Sequence, residues 1–175
     1  MESADAPDLN DTPVFVLADR YIDEVAALDP IAATGMGISG YDDRLPDLSP
    51  DGIEARAAHE RQTLVELAGI APASRFEALA AAYQTERLGM SLALVDADEP
   101  LREINNLASP VQAVRDVFDL MSYDTLGDWE IAQRRMAAVP TALRGLRATY
   151  EAGRTKGVVA ARRQALAAAE QAAVW

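Results

Sequence analysis

The stretch that decides the fold class is SRFEALAAAYQTERLGMSLALVDA, Ser74 to Ala97. Ser74 is placed to cap a first turn while Glu77 reaches back to it, the pattern of a capping box. The helix that follows, over about residues 75–97, would be about 35 Å long at about 1.5 Å per residue. One of its faces carries Phe76, Leu79, Tyr83, Met90 and Leu94, and another carries Leu88, Leu92 and Val95. A helix apolar over so much of its circumference is expected at the centre of a bundle.

Helix signals continue outward on both sides. Thr12-Pro13 reads as an N-cap and first helical residue, with Phe15, Tyr21, Ile22, Val25 and Leu28 following at helical spacing. Asp29-Pro30 ends that helix, because the residue before proline avoids the α region. GMGISGYDDRLPDLSP, Gly35 to Pro50, is the longest irregular stretch. Ser49-Pro50 then starts a helix to about Ala68, with Ile53, Ala57, Leu64, Leu67 and Ala68 on one stripe and Gly69 ending it.

After the central helix, Pro100 to Asn106 reads as a short helix or turn. Ser109-Pro110 begins a helix ending near Leu120. Thr125 and Asp128 cap another, with Trp129 and Met136 facing inward. Val139-Pro140 is expected to break that helix and begin the next, which carries Leu143, Leu146 and Tyr150. A turn over Gly153 to Gly157 precedes an alanine-rich helix from about Val158 to Val174. No segment alternates as a strand does. The expectation is an all-α fold, a compact bundle of six or seven main helices with short loops, in a single domain over residues 12–175 after a disordered tail at 1–11.

Charge is unevenly spread. Residues 1–51 carry 12 acids and 2 bases, residues 52–131 carry 14 and 6, and residues 132–175 carry 2 and 8. A surface so acidic repels nucleic acid, so no nucleic-acid partner is expected. The basic C-terminal segment is expected to pack near the acidic part of the same domain or of a partner. No apolar run reaches the 18 or so residues of a membrane span, and the acidic N-terminus lacks the pattern of a signal peptide. A cytoplasmic protein without a membrane partner is expected.

Several chemistries are excluded. With no cysteine there is neither a thiolate metal site nor a cysteine nucleophile. His59 is the sole histidine, so HExxH cannot be written. It lies in a polar helical segment and reads as a surface residue. Asp42, Asp43, Asp47 and Asp51 do not match a calcium loop and read as an Asp-rich turn. There is no nucleophile elbow and no phosphate loop. Ser49, Ser74 and Ser109 all stand where caps belong. No catalytic residue, metal or cofactor is therefore assigned.

What remains are charged and polar groups among apolar ones. Glu86 and Arg87 interrupt the long helix beside Tyr83, and Arg115 and Asp116 lie between Val114 and Val117. Such charges are exposed on a polar strip, paired inside the bundle, or lining a cleft. The second pair belongs to NNLASPVQAVRDVF, Asn105 to Phe118. There Asn105 and Asn106 can bond free carbonyls, and Gln112, Arg115 and Asp116 lie on adjacent turns. That corner is either a hydrogen-bonded junction or part of a groove or pocket.

The ordered runs LADRYIDEVAALDPIAATGMGISGYDDRLPDLSP, ERLGMSLAL and REINNLASPVQAVRDVFDLM resemble the N-terminal part of the bacterial family of unknown function numbered 885. The similarity continues through DWEIAQRRMAAVPTALRGLRATYEAG to ARRQALAAAEQ, so it covers the chain from about residue 14. The resemblance implies a largely helical protein. Many members look like zinc metallopeptidases whose HExxH lies well downstream of the matched region, so no zinc ligand carries over to this chain. On that reading the chain is a truncated or split member, a non-catalytic helical module acting through a protein partner or as a homo-oligomer. The alternative is a standalone small-molecule-binding protein or metal-independent enzyme, with a polar pocket near Tyr83, Glu86, Arg87, Arg115 and Asp116.

Overall fold

A computed structural model describes residues 11–174, and among them the fold is all-α. Seven α-helices are present: α1 (Pro13–Leu28), α2 (Pro30–Met36), α3 (Pro50–Ala68), α4 (Arg75–Asp96), α5 (Pro110–Asp116), α6 (Leu126–Lys156) and α7 (Arg162–Ala172). Short 3-10 turns occupy Glu99–Leu101 and Val117–Leu120. The tail expected at residues 1–11 lies, apart from Asp11, outside the described residues.

Six of the helices have proline in their first turn or a side-chain cap that explains where they begin. Asp29 ends α1 and caps α2, its Oδ1 accepting from the amides of Ile31 and Ala32 at 3.1 and 3.0 Å. The Asp-Pro pair therefore ends one helix and starts another, an element the sequence reading left out. Gly37 closes α2 at φ 76°, a left-handed conformation that costs glycine nothing, and Ile38 N–H returns to Ala33 O at 2.9 Å. Thr125 and Asp128 form the expected capping box at the start of α6.

Helix α6 is continuous for 31 residues with Pro140 inside it. The expected break at Val139-Pro140 does not occur. Pro140 is exposed, so its ring and the carbonyl it leaves unbonded face the solvent side of a helix whose other face is packed. The expected turn at 153–157 is also helical, and only Gly157 is left-handed (φ 77°). Gly153 is needed for contact instead: a Cβ there would lie 2.6 Å from both Leu101 O and Val158 O.

Helices α1, α3 and α4 pack on one another around Val14, Leu17 and Leu67, with Ile70, Ala80 and Ala81 against them. Burying a side chain such as Leu67 contributes about 1.5–3 kcal/mol. Helix α6 joins this group through α3, α5 and the first 3-10 turn. It crosses residues 46–49 closely, with Gly145 against Ser49 N and Thr149 Oγ1 donating to Leu48 O at 2.7 Å.

Two inward-facing expectations are overturned. In α4 the inward face is Glu77 and Leu88, buried, with Ala81, Gln84, Ser91 and Val95 half-buried, at alternating spacings of four and three. The stripe Phe76, Leu79, Tyr83, Met90 and Leu94 is instead 49–69 % exposed. So α4 lies at the side of the group, because α1 and α3 cover only one of its faces. In α6, Trp129 and Met136 are 58 % and 62 % exposed; the buried register is Ala132, Arg135, Ala142, Leu146 and Thr149.

Among the described residues, two charged side chains are fully buried, and neither was among the candidates. Glu77 is 0 % exposed, with Oε2 accepting from Ala73 N–H at 2.7 Å and Oε1 from Val14 N–H at 3.4 Å. It thus joins the starts of α1 and α4, while Ser74 Oγ accepts from Glu77 N–H at 3.1 Å. Arg135 is also 0 % exposed. Its Nε donates to Arg44 O at 2.9 Å and its Nη2 to Thr34 Oγ1, Tyr41 O and Pro30 O at 2.8, 3.1 and 3.2 Å. One guanidinium on α6 therefore holds α2 and the 37–48 loop.

Two basic side chains of the C-terminal part meet acidic residues of the same chain. Arg134 meets Asp43 at 3.4 Å and Lys156 meets Asp98 at 2.8 Å.

Candidate functional site

The eight candidate residues fall into two places. Tyr83 and Arg87 line a groove between α1 and α4. Glu86 is on the exposed side of α4, 4.0 Å from Arg87. Gln112 and Asp116 line a separate cavity beside Asp29, Pro46 and Arg56.

The second place is a folded corner. Asn105 Oδ1 accepts from the amides of Leu107 and Ala108, both at 2.8 Å, and its Nδ2 donates to Ala108 O at 2.7 Å. This is an Asx turn that fixes the loop by local bonds. Gln112 is buried, and its Nε2 donates to Asn105 O at 2.9 Å and to Gln171 Oε1 at 2.8 Å, tying the corner to α7. Ser109 does not act as the expected cap acceptor; its hydroxyl donates to Gln112 Oε1. Arg115 is exposed and bonds Asp116 and Asp119 on its own turns, Asp116 and Asn106 being exposed as well. The side-chain bonds of Asn105 and Gln112 join parts of the fold to one another.

The α1–α4 groove is different. Its volume is about 450 Å³, and its walls are largely apolar: Phe15, Ala18, Tyr21 and Ile22 from α1, Ala80, Tyr83 and Leu88 from α4. Ala18 and Ala80 reach only a methyl group into the space, which leaves it unfilled between the larger walls. Glu60 of α3 and Gln84 and Ser91 of α4 supply polar atoms. Ser91 Oγ donates to Glu60 Oε1 at 2.9 Å. Glu60 Oε2 and Gln84 Oε1 are buried without a hydrogen-bond partner among the described residues. Unpaired buried acceptors are uncommon and costly, so they call for an explanation.

The electrostatics follow from this burial. Desolvation pushes the Glu60 carboxyl above its ordinary value, against the opposing effects of the Ser91 bond and of Arg56, His59 and Arg61. Burial, and after it the nearby Glu60 charge, pushes Tyr21 up to about 12. Behind the groove Tyr21 stacks on His59, ring centroids 5.3 Å apart and planes within 3°. His59 is thus not the surface residue expected from its polar neighbours: its side chain is only 16 % exposed, with Nδ1 3.6 Å from Glu24.

The sequence reading found Tyr83 and Arg87 but missed Tyr21, Glu60 and Gln84. A signal was present. Glu60 stands in register with Ile53, Ala57, Leu64 and Leu67, and Gln84 in register with Leu88, so both occupy inward positions of their helices. An apolar groove with a few convergent polar atoms is what a binding site requires. Among the described residues, no group of three or more His, Cys, Asp or Glu is placed to hold a metal ion. No helix there is long and apolar enough to cross a membrane.

No curated protein matches the chain. The family described as bacterial protein of unknown function (DUF885) matches residues 30–175, later than the expected start near residue 14 but over most of the chain, and the protein belongs to that family.

Proposed function

We propose that the chain is a non-catalytic helical docking module, and that its α1–α4 side receives an amphipathic helix of a protein partner. The observation that carries this is the α4 stripe Phe76, Leu79, Tyr83, Met90 and Leu94, exposed at spacings of three, four and seven beside Val16 and Ile22 of α1. Exposed apolar residues in such a row fit a helix laid into a groove. The charges bordering the groove argue for a basic partner. Asp19, Asp23 and Glu24 are exposed on α1, while the neighbouring Arg20 is paired with Glu66. A second copy of so acidic a chain is the poorer match. The resemblance implies a candidate, a polypeptide carrying HExxH.

The test is cross-linking with mass spectrometry in the native host, comparing the tagged wild-type chain with Leu79→Glu/Tyr83→Glu. The reading expects a polypeptide cross-linked to α1 or α4 through a basic amphipathic helix, and its loss in the variant. Equal recovery with both chains, or a dimer of this chain alone by light scattering, overturns it.

A further inference from the structure

We propose that the α1–α4 groove is also a binding site for an organic ammonium. The apolar stem lies along Phe15 and Leu88, and the cationic nitrogen donates to Glu60 Oε2 and Gln84 Oε1 between the rings of Tyr21 and Tyr83.

Four observations lead there. First, the two unpartnered polar atoms of the groove are both acceptors, so the missing group is a donor. Second, one acceptor belongs to a carboxylate, which bonds a cationic donor about twice as strongly as a neutral one. Third, the arginines whose charge reaches Glu60 are engaged elsewhere. Arg56 Nη1 donates to Asp47 O at 2.9 Å, and Arg61 reaches Glu54 at 2.7 Å and Asp96 at 3.7 Å. Arg87 lines the groove, but its side chain is 60 % exposed to solvent, with Glu86 4.0 Å away. Fourth, Tyr21 and Tyr83 line the same space, and aromatic faces attract an ammonium that has left water. An anion would meet the Glu60 carboxylate and the unpaired Gln84 acceptor. A bare metal ion would find a single carboxylate.

The inference shares the groove with the docking reading and does not depend on it. Leu79 and Phe76 are outside the groove lining. Leu79→Glu should therefore disturb partner contact and leave amine binding in place, so the two readings can fail separately.

The test is titration of the full chain with 4-phenylbutylamine, against 4-phenylbutan-1-ol and 4-phenylbutanoate, followed by amide chemical-shift changes. The expected result is saturable amine binding with a Kd on the order of a millimolar, as suits a small ligand in an open groove. Residues of α1 and α4 around the groove should shift. The alcohol and the carboxylate should bind at least about tenfold more weakly. Glu60→Gln should weaken the amine about tenfold or more while the chain melts no lower than wild type, because the fold disfavours the charge it removes. Ala18→Leu keeps Glu60 but fills the space, and should also abolish binding. Absent binding by the wild type, equal binding of amine and alcohol, or undiminished binding by a folded Glu60→Gln chain would each overturn the proposal.

Discussion

Replacing Arg135 by methionine should cost about 3 kcal/mol of stability and release the 37–48 loop. The magnitude follows from which acceptors keep a partner. Tyr41 O still receives Arg44 N–H at 3.1 Å, and the one proton of the Thr34 hydroxyl serves either Pro30 O at 3.1 Å or Asp42 Oδ1 at 2.7 Å. Arg44 O loses the Nε donor and is left unsatisfied, at about 1–3 kcal/mol. Asp42, 3.9 Å from Nη2, loses its cation, but its side chain is 32 % exposed and water can replace part of that interaction. Removing one member of a buried charged network costs about 3–5 kcal/mol, and the hydration open to Asp42 places this site at the lower end. Relief of the guanidinium's own burial, which depresses its pKa against the pull of Asp42, Asp43 and Tyr123, acts in the same direction.

In a chain of this size about 3 kcal/mol corresponds to a fall in Tm of about 6–12 °C. Circular dichroism melts measure it, and trypsin reports the loop directly through faster cleavage after Arg44. Arg135→Lys should recover only part of the loss, since one ammonium cannot reproduce a fork that bonds four acceptors on two elements. Arg134→Met is the control: that side chain is 56 % exposed and meets only Asp43. The reasoning is refuted if Arg135→Met melts within about 2 °C of Arg134→Met and resists trypsin equally well.

Glu77→Gln should destabilise at neutral pH and lose that penalty in acid. The bond from Ala73 N–H first, then those from Val14 N–H and Thr12, holds the folded carboxyl below its ordinary 4.5, so its contribution is complete above that value and fades as pH falls through the lower folded one. The Tm gap between the two chains, measured from pH 7 downward, should therefore begin to close below about pH 4.5. Gly89→Ala, with nothing within 4 Å of the new Cβ in mid-helix, should stabilise by about 0.5–1 kcal/mol. Gly153→Ala forces a Cβ onto two backbone carbonyls and should destabilise by about 2 kcal/mol or more, both being read from denaturant melts. Arg115→Ala should leave Tm nearly unchanged, because Arg115 bonds only exposed neighbours on its own turns.

The helices were legible because their ends are written in local chemistry. Pro at the first turn, Ser74 and the Thr125–Asp128 box place the starts of α1, α3, α4, α5 and α6 within a residue or so. What is buried was less legible, because it depends on which neighbour covers which face. Helix α4 offers one apolar stripe and one stripe of Glu77, Ala81, Gln84, Leu88 and Ser91, and hydropathy favours burying the first. The fold buries the second, because small and polar side chains let α1 and α3 approach closely and because Glu77 supplies bonds to two helix starts. The same inversion hid Arg135, whose place in the register of Ala132, Ala142 and Leu146 marks it as inward, while its charge marks it as outward. Register is therefore the better guide wherever a charge and an apolar stripe compete for one position. Applied to α3 it singles out Glu60, the one carboxylate in that helix's inward row, and so leads from the packing of the helices to the groove in which an ammonium is proposed to bind.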